Sequence, residues 1–134
     1  MKAETQDDSA HVIKVMVVDD SDSVRRTAEN LLDAEGYAVI TAEDGFEALA
    51  KIVDHQPDII FLDIMMPRLD GYQTCSVIKN SRRFKQIPVI MLSTRDGIFD
   101  KARGRLMGSE RFITKPFTKE DLLEAIRHHV HVCP

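Results

Sequence analysis

Asp19-Asp20, Asp63, Ser93 and Lys115 each close a short apolar run: Val15–Val18, Ile59–Leu62, Val89–Leu92 and Phe112–Thr114. If those runs are parallel strands of one sheet, their carboxyl ends share an edge, and open α/β sheets bind ligands at that edge. Three carboxylates brought together repel one another unless a cation lies between them, and oxygen-only ligands suit a hard divalent ion. Mg²⁺ is the natural choice, because it takes one or two carboxylates and leaves the rest of its octahedron to waters and phosphate oxygens. A crevice of this kind accepts a phosphoryl group. Asp63 is then the nucleophile and Asp20 the direct metal ligand, while Lys115 neutralises phosphoryl oxygens and the Ser93 hydroxyl donates to one of them. Any one aspartate after a strand is more simply a turn former or helix cap. The combination argues for chemistry, since a crowded Lys115 is costly alone and compensated beside three carboxylates. Lys115-Pro116 is also a bond at which a cis peptide is accessible.

The elements that must carry these residues alternate along the chain. Val24, Ala28, Leu31 and Leu32 keep helical spacing, and Gly36 offers a left-handed stop, which predicts a helix over 22–35. A shorter strand follows at Val39–Ala42. The Asp44-Gly45 turn opens a second helix with Phe46, Leu49, Ile52 and Val53 on one face, closed by Pro57. Met66-Pro67 and Asp70-Gly71 are turn signals before a helix over 72–80, and Pro88 leads into the fourth strand. A fourth helix over 98–107 ends at Gly108, and Thr118 with Asp121 forms a capping box for a last helix carrying Leu122, Leu123, Ile126 and Val130. Strands one, three and four are unalternated apolar runs, as expected when both faces are covered. The fold class is therefore α/β, a doubly wound five-stranded parallel sheet with five helices.

The bulk properties agree with one domain. A chain of 134 residues can bury about 68% of its unfolded surface in a single core. The apolar stretches are far shorter than the ~20 residues of a membrane span, so no membrane insertion is expected and the cytoplasm is the default location. The polar residues 1–11 read as a disordered lead-in, 12–131 as the folded domain and 132–134 as a tail. Cys75 and Cys133 have no metal-type spacing and are not expected to pair. A net charge of −4 argues against nucleic acid, whose affinity comes from neutralised phosphates.

The motifs V-V-D-D-S at 17–21, D-G-F-E-A-L at 44–49, L-D-I-M-M-P-R-L-D-G at 62–71, P-V-I-M-L-S at 88–93 and T-K-P-F at 114–117 resemble those of bacterial two-component response-regulator receiver domains, the single-domain chemotaxis type above all. The resemblance spans roughly 13–131. It implies a flavodoxin-like (βα)5 fold in which Asp63 takes a phosphoryl group from a histidine-kinase phosphohistidine with Mg²⁺. Asp19 and Asp20 would be the acidic pair, and the Met65 backbone carbonyl would complete the protein's metal ligands. Ser93 and Phe112 would be the switch pair, and the face of helix 4, strand 5 and helix 5 would meet a downstream protein target. M-M-P-R-L-D-G-Y-Q-T-C and I-K-N within 65–80, with F-D-K-A-R-G-R-L-M-G-S at 99–109, narrow the resemblance to receivers that serve type IV pilus chemosensory systems and twitching motility. Their phosphodonor is a chemotaxis-type kinase with a phosphotransfer domain.

Departures from the commoner receiver pattern are Ser93 in place of threonine, Arg111 in place of an acid, and Phe112 in place of tyrosine. Serine keeps the hydroxyl; phenylalanine removes the phenol through which a partner contact could hydrogen-bond. Met65 and Arg95 lie where receivers tune the access of hydrolytic water.

Other features carry blander readings. His128, His129 and His131 read as a solvated helix end, one of Met65 and Met66 as core, and Lys101, Arg103 and Arg105 with Asp100 as a helix face, either solvated or in contact with a partner. The competing functions are a haloacid-dehalogenase-type phosphatase using Asp20 as nucleophile and Asp22 as acid, and an FMN carrier. The first leaves Asp63 idle and needs an acidic pair after Lys115, where only Glu120-Asp121 is offered; the second lacks a phosphate cradle. A switch that catalyses only its own phosphorylation and dephosphorylation fits better than an enzyme.

Overall fold

The computed structural model describes residues 12–94 and 97–130. The expected lead-in 1–11, the tail 132–134, Cys133, His131 and Arg95 lie outside the described residues. The chain alternates strand and helix: β1 (Lys14–Val18), α1 (Asp22–Asp33), β2 (Ala38–Ala42), α2 (Gly45–His55), β3 (Ile59–Asp63), α3 (Gly71–Lys79), β4 (Val89–Ser93), α4 (Ile98–Leu106), β5 (Arg111–Thr114) and α5 (Lys119–His129). All five strands are parallel, in the order β2-β1-β3-β4-β5.

Strands β3 and β4 are buried at every position, which explains their unbroken apolar runs. Alternate residues serve two cores. Val15, Val17, Ile59, Phe61, Ile90 and Leu92 pack with Ala28 and Leu32 of α1 and with Leu122, Leu123 and Ile126 of α5. Met16, Val18, Ile60, Leu62 and Met91 pack with Ala48 and Ile52 of α2 and with Tyr72, Cys75 and Ile78 of α3. Cys75 is a buried free thiol whose burial pushes its pKa up to about 11, so it stays protonated and packs as a small hydrophobe.

Four helices begin on a side-chain cap: Ser21, Asp44, Asp70 and Thr118 accept from the backbone of Val24, Glu47, Gln73 and Asp121. The Thr118–Asp121 capping box forms as its sequence predicts, and Asp70 makes a second one with Gln73. Helix α4 begins at Gly97 with no side-chain cap.

One expected face is corrected. Phe46 and Val53 do not face the core but are exposed, and the buried side of α2 is Gly45, Ala48 and Ile52, with Leu49 packed partly against it. The start of α2 lies so close to α3 that a Cβ on Gly45 would fall 2.3 Å from Thr74 Oγ1. That contact turns the Phe46–Val53 flank, one heptad apart, away from the sheet. Met66 joins the core while Met65 remains exposed. His129 also departs from a fully solvated helix end: it is partly buried and its Nε2 has no hydrogen-bond partner among the described residues.

Candidate functional site

The registers bring the predicted residues to one edge. Val18 lies opposite Leu62, so Asp19 and Asp63 are the next rung of β1 and β3, and Asp63 is itself opposite Leu92 of β4. Ser93 lies opposite Thr114, which sets Lys115 one residue beyond the end of β5. The Lys115 N–H donates to the Ser93 carbonyl at 2.7 Å, tying those two strand ends directly together. The Lys115-Pro116 bond is cis.

Asp19, Asp20 and Asp63 each offer a carboxylate oxygen within 4.8 Å of the others. Asp19 and Asp63 are buried, and Asp20 is exposed. Asp19 Oδ1 accepts from the Ser21 N–H at 2.9 Å and Oδ2 from Lys115 Nζ at 2.6 Å. Arg25, one turn into α1, donates to the Asp19 carbonyl at 2.5 Å and pairs with Asp22. Asp63 Oδ1 accepts from Lys115 Nζ at 3.2 Å and from the Met65 N–H at 3.3 Å.

Burial, and then the Asp19 charge, push the Asp63 carboxyl up to about 6; Lys115 offsets part of that. Burial by itself would lower the Lys115 pKa, but its hydrogen bond to Asp19 and the charges of Asp63 and Asp19 raise it overall. The result is one half-buried ammonium shared by two buried carboxylates, with a third carboxylate at the mouth. The donor set is all oxygen and carries net negative charge, as a hard divalent cation requires. Among the described residues no other group of His, Cys, Asp and Glu side chains converges in this way.

A cleft of about 460 Å³ opens beside the cluster, lined by Asp20, Met65, Pro67, Tyr72, Asp100 and Arg103 among others. Ser93 is buried at the end of β4. On β5, Phe112 lies opposite Met91 of β4 and is half-buried against the core that contains Met91.

Sequence reasoning passes over the residues that hold the Asp63 loop. A Cβ on Gly71 would fall 2.4 Å from the Asp63 carbonyl oxygen and 2.7 Å from Ile64 Cα. The Gly71 N–H donates to the Ile64 carbonyl at 2.9 Å. The Asp70-Gly71 pair signals a turn; that the glycine lies directly against the Asp63 backbone has no local signal.

The family profile of the response regulator receiver domain matches residues 15–127. The chain belongs to the response regulator receiver family. This receiver is 66% identical over 118 residues to Protein PilG of Pseudomonas aeruginosa, a match covering 88% of this chain and 87% of that protein. It is 39% identical over 109 residues to the alkaline phosphatase synthesis transcriptional regulatory protein PhoP of Bacillus subtilis, covering 81% of this chain but 45% of that regulator. The chain thus spans about half the length of the PhoP regulator. Among solved structures, the chemotaxis protein CheY4 of Vibrio cholerae superposes with a TM-score of 0.86 at 34% identity, over 90% of this chain and all of that one. The receiver is a two-component signalling domain of the chemotaxis-like kind, and no helix among its described residues is long and apolar enough to cross a membrane.

Proposed function

We propose that Asp63 is the phosphoacceptor of this receiver and that a chemotaxis-type histidine kinase, through its phosphotransfer domain, is the donor. The observation that carries this reading is the Lys115 ammonium held between Asp19 and Asp63 at the sheet edge, 2.6 and 3.2 Å away. Asp63 Oδ2 accepts no hydrogen bond from the described residues, and it is the oxygen that attacks. Its O–P bond forms as the P–N bond of the phosphohistidine breaks, and the electron pair returns to the imidazole. With a carboxyl pKa of about 6, Asp63 is mostly ionised at neutral pH. Lys115, already beside Oδ1, meets the phosphoryl oxygens without reorganising. The Ser93 hydroxyl donates to one of them, and Phe112 repacks in response, in the manner of a local electrostatic event read by a bistable packing element.

Asp19, Asp20, Asp63 and the Met65 carbonyl would hold Mg²⁺. Bound there, the ion neutralises the charge that the phosphoryl group brings beside the three carboxylates. A ligand set of oxygens without nitrogen or sulfur suits this ion better than zinc or copper.

The similarity to PilG supports a role in type IV pilus twitching motility, exercised through protein contacts on the α4, β5 and α5 face. The reading is of a signalling switch that catalyses only its own phosphorylation and dephosphorylation. The phosphatase alternative is not favoured: Asp121 is occupied in capping Thr118, and Glu120 pairs with Arg127. In the decisive experiment, radiolabelled phosphotransfer domain is mixed with the chain and Mg²⁺. Label should reach the wild type and be absent from Asp63→Asn; transfer to Asp63→Asn overturns the assignment.

A further inference from the structure

Arg25 is a cation one turn into α1, near the end of a helix that disfavours positive charge. It also stands beside a carboxylate cluster whose negative charge a metal ion would need. Arg26, next along the helix, is exposed in the ordinary way, whereas the Arg25 side chain is only 15% exposed. Helical side chains lean toward the helix N-terminus, and Arg25 follows that lean back over the first turn. Its Nη1 donates to the Asp19 carbonyl at 2.5 Å, and its Nη2 pairs with Asp22. A pair with exposed Asp22 alone would be worth little and would leave the guanidinium at the surface. The bond to Asp19 draws it inward.

That bond completes the anchorage of Asp19. The Asp19 N–H donates to the Ala42 carbonyl at 3.1 Å, Oδ1 accepts from the Ser21 N–H at 2.9 Å and Oδ2 accepts from Lys115 at 2.6 Å. The end of β2, the cap of α1 and the residue after β5 thus each hold one polar atom of Asp19, and Arg25 holds the fourth. Asp20 has no such support: its exposed carboxylate accepts no hydrogen bond from the described residues. What places it is the backbone. The Asp19–Asp20 peptide is planar, so the direction of the Asp19 carbonyl also fixes the Asp20 N–H and Cα.

We propose that Arg25 is a positioning residue for the divalent cation, holding the Asp19 carbonyl so that the Asp20 carboxylate stays turned toward Asp63. It touches neither the ion nor the phosphoryl group. The inference rests on the reading of Asp19, Asp20 and Asp63 as a Mg²⁺ site and adds a residue from outside that cluster. Its sign separates it from plain electrostatics. A guanidinium near the site repels another cation, so if charge were its whole contribution, neutralising it would tighten Mg²⁺ binding. Acting by position, its loss weakens binding instead. Mg²⁺ demands near-octahedral ligands at about 2.0–2.1 Å, whereas Ca²⁺ accepts a looser shell at about 2.3–2.6 Å. Lost position therefore costs Mg²⁺ more than Ca²⁺.

The test titrates the full chain with Mg²⁺ and with Ca²⁺ by calorimetry at neutral pH and fixed ionic strength. Arg25→Met should weaken Mg²⁺ binding about tenfold or more, the usual cost of losing a group that orients a metal ligand, and Ca²⁺ binding by clearly less. Arg25→Lys keeps the charge without the planar fork that reaches Asp19 and Asp22 together, and should fall between Arg25→Met and the wild type. Phosphorylation by acetyl phosphate should need a correspondingly higher Mg²⁺ concentration. Urea melts in chelator show whether each variant is folded; if Arg25→Met does not fold, Arg25→Lys carries the measurement with the same expected order of the two ions. Unchanged or tighter Mg²⁺ binding in the variant that carries the measurement overturns the proposal, as does an equal loss for the two ions. Those outcomes leave the cation site itself standing, whereas a wild type that binds no Mg²⁺ overturns the site and the role of Arg25 together.

Discussion

Lys115 Nζ lies 2.6 Å from Asp19 Oδ2 across 96 residues of sequence, and the same ammonium reaches Asp63 Oδ1 at 3.2 Å. Removing it should leave two buried carboxylates facing each other with nothing between them. Breaking one partner out of a buried charge cluster costs about 3–5 kcal/mol. Lys115→Met should therefore lose stability of this order at pH 8 in chelator, and Mg²⁺ should restore a large part of it. Urea melts with and without the ion measure both quantities; a variant as stable as the wild type in chelator would contradict the account.

Asp63 supplies a pH dependence of opposite sign to that of most aspartates. Its carboxyl is raised from 3.8 to about 6 by burial and by Asp19, so between those values the folded state holds more protons than the unfolded one. The stability it contributes is complete below about pH 4 and is lost as pH rises through about 6. Asp63→Asn should remove that dependence and be more stable than the wild type at pH 8, by about 1–3 kcal/mol, since each pH unit between the folded and unfolded values is worth ~1.4 kcal/mol. Denaturant midpoints at pH 5 and pH 8, in chelator, test it; the gap at pH 8 should narrow when Mg²⁺ is added.

Gly71 is held against the backbone that carries Asp63. In Gly71→Ala the new methyl meets the Asp63 carbonyl oxygen at 2.4 Å, too near for either to remain in place. Overpacking against rigid backbone costs about 1–3 kcal/mol. The melting temperature should fall and phosphorylation of Asp63 by acetyl phosphate should slow, since the displaced atoms are those of the acceptor residue. A variant that keeps both would show that the loop can move aside freely.

The capping box at the start of α3 should be separable from the chemistry. Asp70 accepts from the Gln73 N–H at 2.8 Å and Gln73 Oε1 accepts from the Asp70 N–H at 3.0 Å. Asp70→Ala should cost about 1 kcal/mol, visible as a lower denaturant midpoint, while Asp63 still accepts label. Loss of phosphorylation without loss of stability would mean that Asp70, which also lines the cleft beside Asp20, acts in the site itself.

Much of the architecture is legible in the chain because its signals are local. Caps at Ser21, Asp44, Asp70 and Thr118 announce helix starts, and Gly36 and Gly108 adopt the positive φ that follows α1 and α4. The helical pattern runs one or two residues past the observed ends of α1 and α4, where the final turn frays into the C-cap. The face of α2 is misleading in the sequence, because Phe46 and Val53 keep a helical period with the core residues and only the close approach at Gly45 decides which flank turns outward.

By itself the sequence determined five βα units, the doubly buried strands, and the polar residues that end them. Apolar runs and their punctuation are properties of neighbouring residues and need no knowledge of where the chain goes next. Only the tertiary structure decided that Asp19 takes the Lys115 ammonium while Asp20 stays at the mouth, that Gly71 rests on the Asp63 backbone, and that α4 turns Ile98, Phe99 and Leu106 to solvent. Each of these depends on strand order and register, or on how closely one helix approaches another. The Asp19–Lys115 pair spans 96 residues and Gly71 meets Asp63 across a loop; neither relation leaves a periodic trace in the chain.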